Sequence, residues 1–415
     1  MNPAVLSVLA LLVVMAVSFG TRVNVGILAV ALAWPIAVYG AGWNADAVVS
    51  AFPTSLLVTL LGVTLLFGVA QANGTMGAIT QRALRSCGGR AAWLPLLLFG
   101  LACIVSTIGP GAIAAVALLA PMGMAAGTRA GVPALLTALM IGNGANAGNL
   151  SPFSAVGVIV SDGMGKAGLT GHEWQVWAVN FGAHALAAVL AWCVFGGPRL
   201  LREQSRVSFD ETAPLTRAHR ATLVVVGGWV VAVVVAGMPL GLAAFAAAAL
   251  LIVVRACDDG AALAHVPWAV IVMVCGVSVL IGVLEGTGGM DLFSTLLARV
   301  ATPATVNGAI AFVTGTISTY SSTSGVVYPT FLPAVPALVE KLGGGDPLGI
   351  AMSINVGAAL VDVSPLSTLG ALCIAATPIA HDPGRLFRNL LAWGMSMTVA
   401  GALFCQLAMP LLAAR

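Results

Sequence analysis

The chain has 415 residues, of which 60% are hydrophobic and only 7% charged, with a formal net charge of +3. Soluble domains carry about 25% charged residues, so these charges cannot cover a water-facing surface, and most of the surface must face lipid. The seven cysteines are odd in number and form no Cys-x-x-Cys pair, against a disulfide framework; Walker loop, haem motif and basic stripe are absent, against a nucleic-acid partner.

A helix needs about 20 mainly apolar residues to cross a bilayer. In chain order the sequence predicts spans over residues 2–20, 22–40, 47–70, 132–162, 172–196, 219–237, 239–256, 264–285, 346–376 and 389–413. The first twenty residues lack a basic leader, so they are expected to be a retained span rather than a cleaved signal. Two further apolar stretches, 91–128 and 303–340, are interrupted by Gly109-Pro110-Gly111 and by the polar run Tyr320 to Gly325. Each is expected to be a re-entrant hairpin, preceded by an amphipathic interfacial helix at 75–90 or 288–302. Tryptophans 34, 43, 93, 174, 177, 192 and 268 fall near span ends, as an interfacial belt requires.

Lys and Arg in short loops orient the spans. The linker carries Arg199, Arg202, Arg206, Arg217 and Arg220 and is placed in the cytoplasm. With both interrupted stretches as hairpins, Arg22, Arg82, Arg85, Arg90, Arg129, Arg255, Arg385 and Arg388 fall on the same side. Only Lys166, Arg299, Lys341 and Arg415 fall outside. The scheme has ten crossings, both termini outside, in a bacterial-type inner membrane.

Residues 149–157 read Asn-Leu-Ser-Pro-Phe-Ser-Ala-Val-Gly, and residues 362–370 read Asp-Val-Ser-Pro-Leu-Ser-Thr-Leu-Gly. At the same offset of 213, Gly144-Ala145 matches Gly357-Ala358; Ser106-Thr107 and Pro121 match Ser318-Thr319 and Pro333 at 212. The chain therefore divides into one repeat over 1–196, a linker over 197–218 and a second repeat over 219–415. Five crossings per repeat make the second inverted. The expected fold class is an all-α polytopic membrane protein with a hairpin and a broken helix in each inverted repeat. That pattern points to alternating access in a secondary transporter.

Each Ser-Pro-x-Ser motif lies midway along its span. Pro removes a backbone donor and nearby glycines weaken a helix, so Gly142–Ser151 and Asn355–Ser364 are expected to unwind. Ser151 and Ser364, each before a proline, are expected to be N-caps. Unwound carbonyls suit a cation, and the following helix N-terminus suits an anion. Asp362 is the single acidic residue deep inside a predicted span, where a carboxylate is costly and marks function. It is expected to hold a coupling cation or titrate a coupling proton. His184, following Asn180 in the fifth span, reads as a packing or interhelical hydrogen-bond residue. No Lys or Arg lies at mid-depth, so an anionic substrate would be balanced by hydroxyls, amides, helix N-termini and bound cations.

Several stretches resemble the MatC-type dicarboxylate carriers: Phe52-Pro53-Thr54-Ser55-Leu56, then Ala70 to Thr75, then Gly109-Pro110-Gly111, then Gly142 to Gly148 followed by Ser151-Pro152-Phe153-Ser154. The likeness covers roughly residues 1–160, within the wider superfamily of divalent-anion/sodium symporters. The resemblance implies an elevator in which hairpins and broken helices move against a scaffold, dicarboxylates such as malonate or succinate, sodium coupling and a homodimer. The expected substrate contacts are Gly109, Gly111, Asn146, Ser151, Ser154, Ser322, Thr323, Ser324, Ser364, Ser367 and Thr368. The expected sodium ligands are Asn143, Gly144, Asn149, Asn355, Gly357 and Asp362. Where sodium symporters carry Ser-Asn-Thr at each hairpin tip, this chain has Ile108-Gly109-Pro110-Gly111 and Ser322-Thr323-Ser324, leaving backbone amides at the first tip. The alternatives are a proton-coupled organic-anion carrier and an anion channel. An intramembrane aspartyl protease would need a second membrane Asp, and no organic cofactor is expected.

Overall fold

A computed structural model describes residues 2–20, 23–85, 91–202, 214–378 and 382–413. Arg22, Arg90, Arg206, Arg415, Cys87 and the end of the 75–90 segment lie outside them. The described residues form helices and no strand, and seven helices are long and apolar enough to cross a membrane. This is a polytopic membrane protein.

The first half runs α1 (Pro3–Gly20), α2 (Val25–Pro35), α3 (Ala45–Ser50), α4 (Thr54–Ala72) and α5 (Thr75–Arg85). The predicted hairpin is α6 (Leu94–Ile108) and α7 (Gly111–Arg129), and the broken helix is α8 (Ala134–Asn149) and α9 (Ala155–Lys166). Then α10 (Glu173–Val194) closes the half, and α11 (Gly197–Arg202) opens the linker. The second half runs α12 (Arg217–Ala236), α13 (Leu240–Val253), α14 (Asp259–Ala264), α15 (Trp268–Gly286) and α16 (Gly289–Ala298). It ends with α17 (Val306–Tyr320), α18 (Tyr328–Phe331), α19 (Val335–Leu342), α20 (Pro347–Leu360), α21 (Thr368–Ala375) and α22 (Pro383–Leu412). The predicted 47–70 span is split by Pro53 into α3 and α4, and the last helix begins six residues before its predicted start at 389.

Local chemistry explains several helix starts. Asn24 caps α2 by accepting from Gly26 N at 3.0 Å, and its amide donates to Ala269 O at 2.7 Å, fastening α2 beside α15. Such caps contribute about 1 kcal/mol each. Lys341 in α19 pairs with Asp291 in α16 at 2.6 Å, and that hydrogen bond raises the pKa of the Lys341 ammonium above its ordinary value.

In lipid, helices associate by close packing at small residues. On α2 and α15, a Cβ at Gly276 would lie 2.7 Å from Gly26 Cα. On α4 and α13, a Cβ at Gly241 would lie 2.5 Å from Thr59 Cα, and one at Gly62 would lie 2.8 Å from the Phe245 ring. Gly26 and Gly241 are 215 residues apart, and Gly62 and Gly276 are 214 apart. One glycine-to-glycine crossing is thus built twice, each time between a helix of one half and a helix of the other.

The main apolar core runs through both halves. A smaller second core joins one face of α4 to α12, α13 and α14 through Val63, Leu66, Phe67, Trp229, Ala244 and Leu251.

Candidate functional site

The helix breaks lie later than the glycines suggest. Helix α8 continues through Gly142, Gly144 and Gly148 to Asn149, and α20 continues through Gly357 to Leu360. The expected unwinding of Gly142–Ser151 and Asn355–Ser364 is therefore corrected to short breaks at 150–154 and 361–367. The glycines serve close approach instead. A Cβ at Gly144 would lie 2.8 Å from Phe99 Cα on α6, and one at Gly357 would lie 2.6 Å from Ala311 Cα on α17. Each hairpin's first arm thus lies directly on its own broken helix.

The capping residues are the second serines of the motifs, which corrects the expectation for Ser151 and Ser364. Ser154 accepts from Gly157 N at 2.9 Å, and Ser367 accepts from Gly370 N at 3.4 Å. Ser154 Oγ also donates to Asn149 O, and Ser367 Oγ donates to Asp362 O at 2.6 Å. Ser151 and Ser364 stabilise the turn within the break, accepting from Phe153 N at 3.2 Å and Leu366 N at 3.3 Å. Every one of these bonds recurs at an offset of 213 residues. The breaks meet directly: Asn146 Nδ2 donates to Ala359 O at 3.3 Å.

The hairpin tips differ. The first uses backbone. Phe67 lies against Gly109, where a Cβ would fall 2.6 Å from the ring Cζ. Gly109 O accepts from Ala155 N at 3.0 Å, and Ala112 N donates to Asn149 Oδ1 at 2.9 Å. Gly111 has φ 78°, which suits glycine there. The second tip uses side chains. Ser322 accepts from Gly325 N at 3.0 Å and Ser318 Oγ donates to Ala358 O at 2.9 Å. The Thr323 hydroxyl bonds Ser318 and lies beside the Asp362 side chain.

A cavity of about 150 Å³ opens where these parts meet. Of the expected residues it gathers Asn149, Ser322, Thr323, Ser324, Asp362, Ser367 and Thr368. Gly109 and Gly111 belong to the first tip but not to its lining; Asn146, Ser151, Ser154 and Ser364 are fully buried. Asn143, Gly144, Asn355 and Gly357 lie deeper in α8 and α20, away from its walls. Asn143 meets His184, and Asn355 O accepts from the Tyr328 hydroxyl at 3.1 Å.

The lining residues not anticipated from sequence are Ala112, Ile113, Val156, Tyr320, Ser321, Leu366 and Leu369. They carry the decisive geometry. Ala112 and Ile113 belong to the first turn of α7, Val156 to that of α9, and Thr368 and Leu369 to that of α21. Three helix N-termini therefore converge on one cavity, each carrying about half a positive charge at its end. The lining contains no Lys, Arg or His. Its carboxylate is the half-buried Asp362, two residues beyond the end of α20.

Residues 1–149 match the family described as the dicarboxylate carrier protein MatC N-terminus. The N-terminal third is a segment similar to that family. That segment contains α1 to α8 and ends at Asn149, the residue that closes on the first hairpin tip. A crystal structure of the Alcanivorax borkumensis YdaH transporter is similar in fold over 99% of each chain, with a TM-score of 0.60 and 14% identity. No curated protein matches the sequence.

Proposed function

We propose that this chain is a secondary active transporter that imports small dicarboxylates of the malonate or succinate class by sodium symport. The observation that carries the reading is the convergence of α7, α9 and α21 N-termini on a hydroxyl-lined cavity free of basic side chains. Helix N-termini bind anions through exposed N–H groups, and hydroxyls at Ser322, Ser324 and Thr368 supply further donors. About 150 Å³ is the size of cavity that accepts benzene, which suits a four-carbon diacid. The MatC N-terminal match supports a dicarboxylate as the cargo.

Asp362 gives the reason for coupling. A dianion entering beside this carboxylate meets like charge at short range, in a site of low dielectric. A sodium ion between them, held by Asp362 and Thr323, removes that repulsion and makes anion and cation binding mutually dependent. Protonation of Asp362 would do the same, and the absence of a basic partner in the cavity lining favours proton coupling as the second reading.

The doubled bonds at offset 213 and the doubled glycine crossing support an inverted repeat. Hairpins and broken helices would then move as an elevator against a scaffold that includes the α4–α12–α13 core. The chain would act as a homodimer in a bacterial-type inner membrane, with the linker cytoplasmic and both termini outside.

A thermal-shift screen of purified protein with small di- and tricarboxylates, each in sodium or potassium, tests the assignment. A sodium-dependent rise in Tm with succinate or malonate supports it. An identical rise in potassium removes sodium from the account.

A further inference from the structure

Behind the cavity, α8 meets α10 through Asn143, Asn146, Asn180 and His184, all of them 0% exposed. Their hydrogen bonds fix how each is turned. Asn143 Nδ2 donates to Leu139 O at 2.9 Å, so its Oδ1 is the acceptor that meets His184 Nδ1 at 3.0 Å. A neutral His184 therefore carries its proton on Nδ1 and presents a lone pair at Nε2. Asn180 Nδ2 donates to Asn146 O at 2.7 Å, and Asn146 Nδ2 donates to Ala359 O.

Both amide orientations are thus set by backbone carbonyls. Among these four side chains, three buried atoms remain without a protein partner: Asn146 Oδ1, Asn180 Oδ1 and His184 Nε2. All three are acceptors. An unsatisfied buried polar atom costs about 1–3 kcal/mol, so three on adjacent turns of one helix pair need a common explanation. The electrostatics agree in sign. The carbonyl ends of α8 and α20, negative by their dipoles, meet here through the Asn146–Ala359 bond. No carboxylate lies on α8 or α20 themselves; Asp362 follows α20 and its backbone N donates to the same Ala359 O at 3.1 Å, and no trio of His, Cys, Asp or Glu forms a metal cluster among the described residues. Neutral oxygens at helix carbonyl ends are how transporters hold monovalent cations; a divalent ion would call for carboxylates.

We propose that Asn146, Asn180 and His184 form a monovalent cation site behind the cavity, separate from Asp362. The two amide oxygens ligate the ion, and His184 Nε2 accepts from its bound water. The inference rests on the cation-coupled reading above and adds a second ion to it. Occupancy would tie α10 and α8 to the end of α20, so the ion would hold the two breaks together before the anion arrives.

The test is thermal unfolding of the purified full chain in sodium, potassium or choline chloride at constant ionic strength, without dicarboxylate. Because Asn180→Leu could destabilise the fold, the readout is the sodium-dependent increment in Tm rather than Tm itself. The expected result is that Asn180→Leu and His184→Leu raise the half-saturating sodium at least tenfold, that His184→Gln retains the wild-type value, and that Asp362→Asn retains one sodium increment. A sodium increment unchanged in Asn180→Leu overturns the proposal and leaves these groups to ordered water. An increment lost entirely in Asp362→Asn also overturns it, while leaving sodium coupling at the cavity intact.

Discussion

Asn149, the last residue of α8, and Asp362, inside the second break, are equivalent positions 213 residues apart, and both line one cavity. Each reaches its own hairpin tip, Asn149 through Ala112 N at 2.9 Å and Asp362 through the Thr323 hydroxyl. The first tip is met by a neutral amide on a backbone N–H, the second by an ionisable side chain beside a hydroxyl.

Replacing Asp362 with Asn should therefore uncouple transport. Sodium activation of succinate uptake is expected to fall at least tenfold in Asp362→Asn, with substrate still detectable in a binding assay. If protons are the coupling ion, the variant instead loses the pH dependence of uptake and leaves its sodium response unchanged.

Asn149→Leu removes the acceptor for Ala112 N and should destabilise the first tip by about 1–3 kcal/mol. Asn149→Asp keeps that bond and adds a second carboxylate to the cavity. Its dicarboxylate affinity is expected to fall while its Tm stays near that of the wild type. Paired melting and binding curves separate the two effects.

The motif residues Phe153 and Leu366 are equivalent by position but not by environment. Phe153 packs edge-on against Trp174 at 5.9 Å and Trp229 at 6.2 Å, and Trp229 packs edge-on against Phe67 at 6.0 Å. Leu366 is 46% exposed and lines the cavity. Phe153→Ala should lower stability, since such ring pairs contribute about 0.5–1.5 kcal/mol each beyond burial. Leu366→Ala should leave stability nearly unchanged and shift preference toward longer diacids such as glutarate. Competition assays with diacids of increasing length check this.

Much of this architecture was legible in the sequence because membrane chemistry is restrictive. The duplicated Ser-Pro-x-Ser, the Gly109-Pro110-Gly111 interruption and the polar run at Tyr320 to Gly325 marked both breaks and both tips. The glycines misled, because Gly144 and Gly357 have two possible physical roles, lowering helix stability or admitting a neighbouring backbone, and composition does not choose between them. The cap moved from Ser151 to Ser154 because the proline turn uses up the first hydroxyl on Phe153 N. The convergence of the α7, α9 and α21 N-termini was not legible, since Ala112, Val156 and Leu369 carry no chemical mark and gain their role from assembly alone.

The close helix crossings give a structural check. Gly276→Val should destabilise the α2–α15 contact by about 1–3 kcal/mol through overpacking, and Gly241→Val should do the same at α4–α13. Gly227→Ala, whose Cβ would meet nothing within 4 Å, should be neutral. Fluorescence-detected melting of the three variants tests whether both crossings matter alike.

The most direct test of the account is uptake of labelled succinate or malonate into proteoliposomes under an inward sodium gradient with no proton gradient. The account predicts accumulation above the external concentration, collapsing when the sodium gradient is dissipated. Flux that is equal with and without the gradient would contradict it.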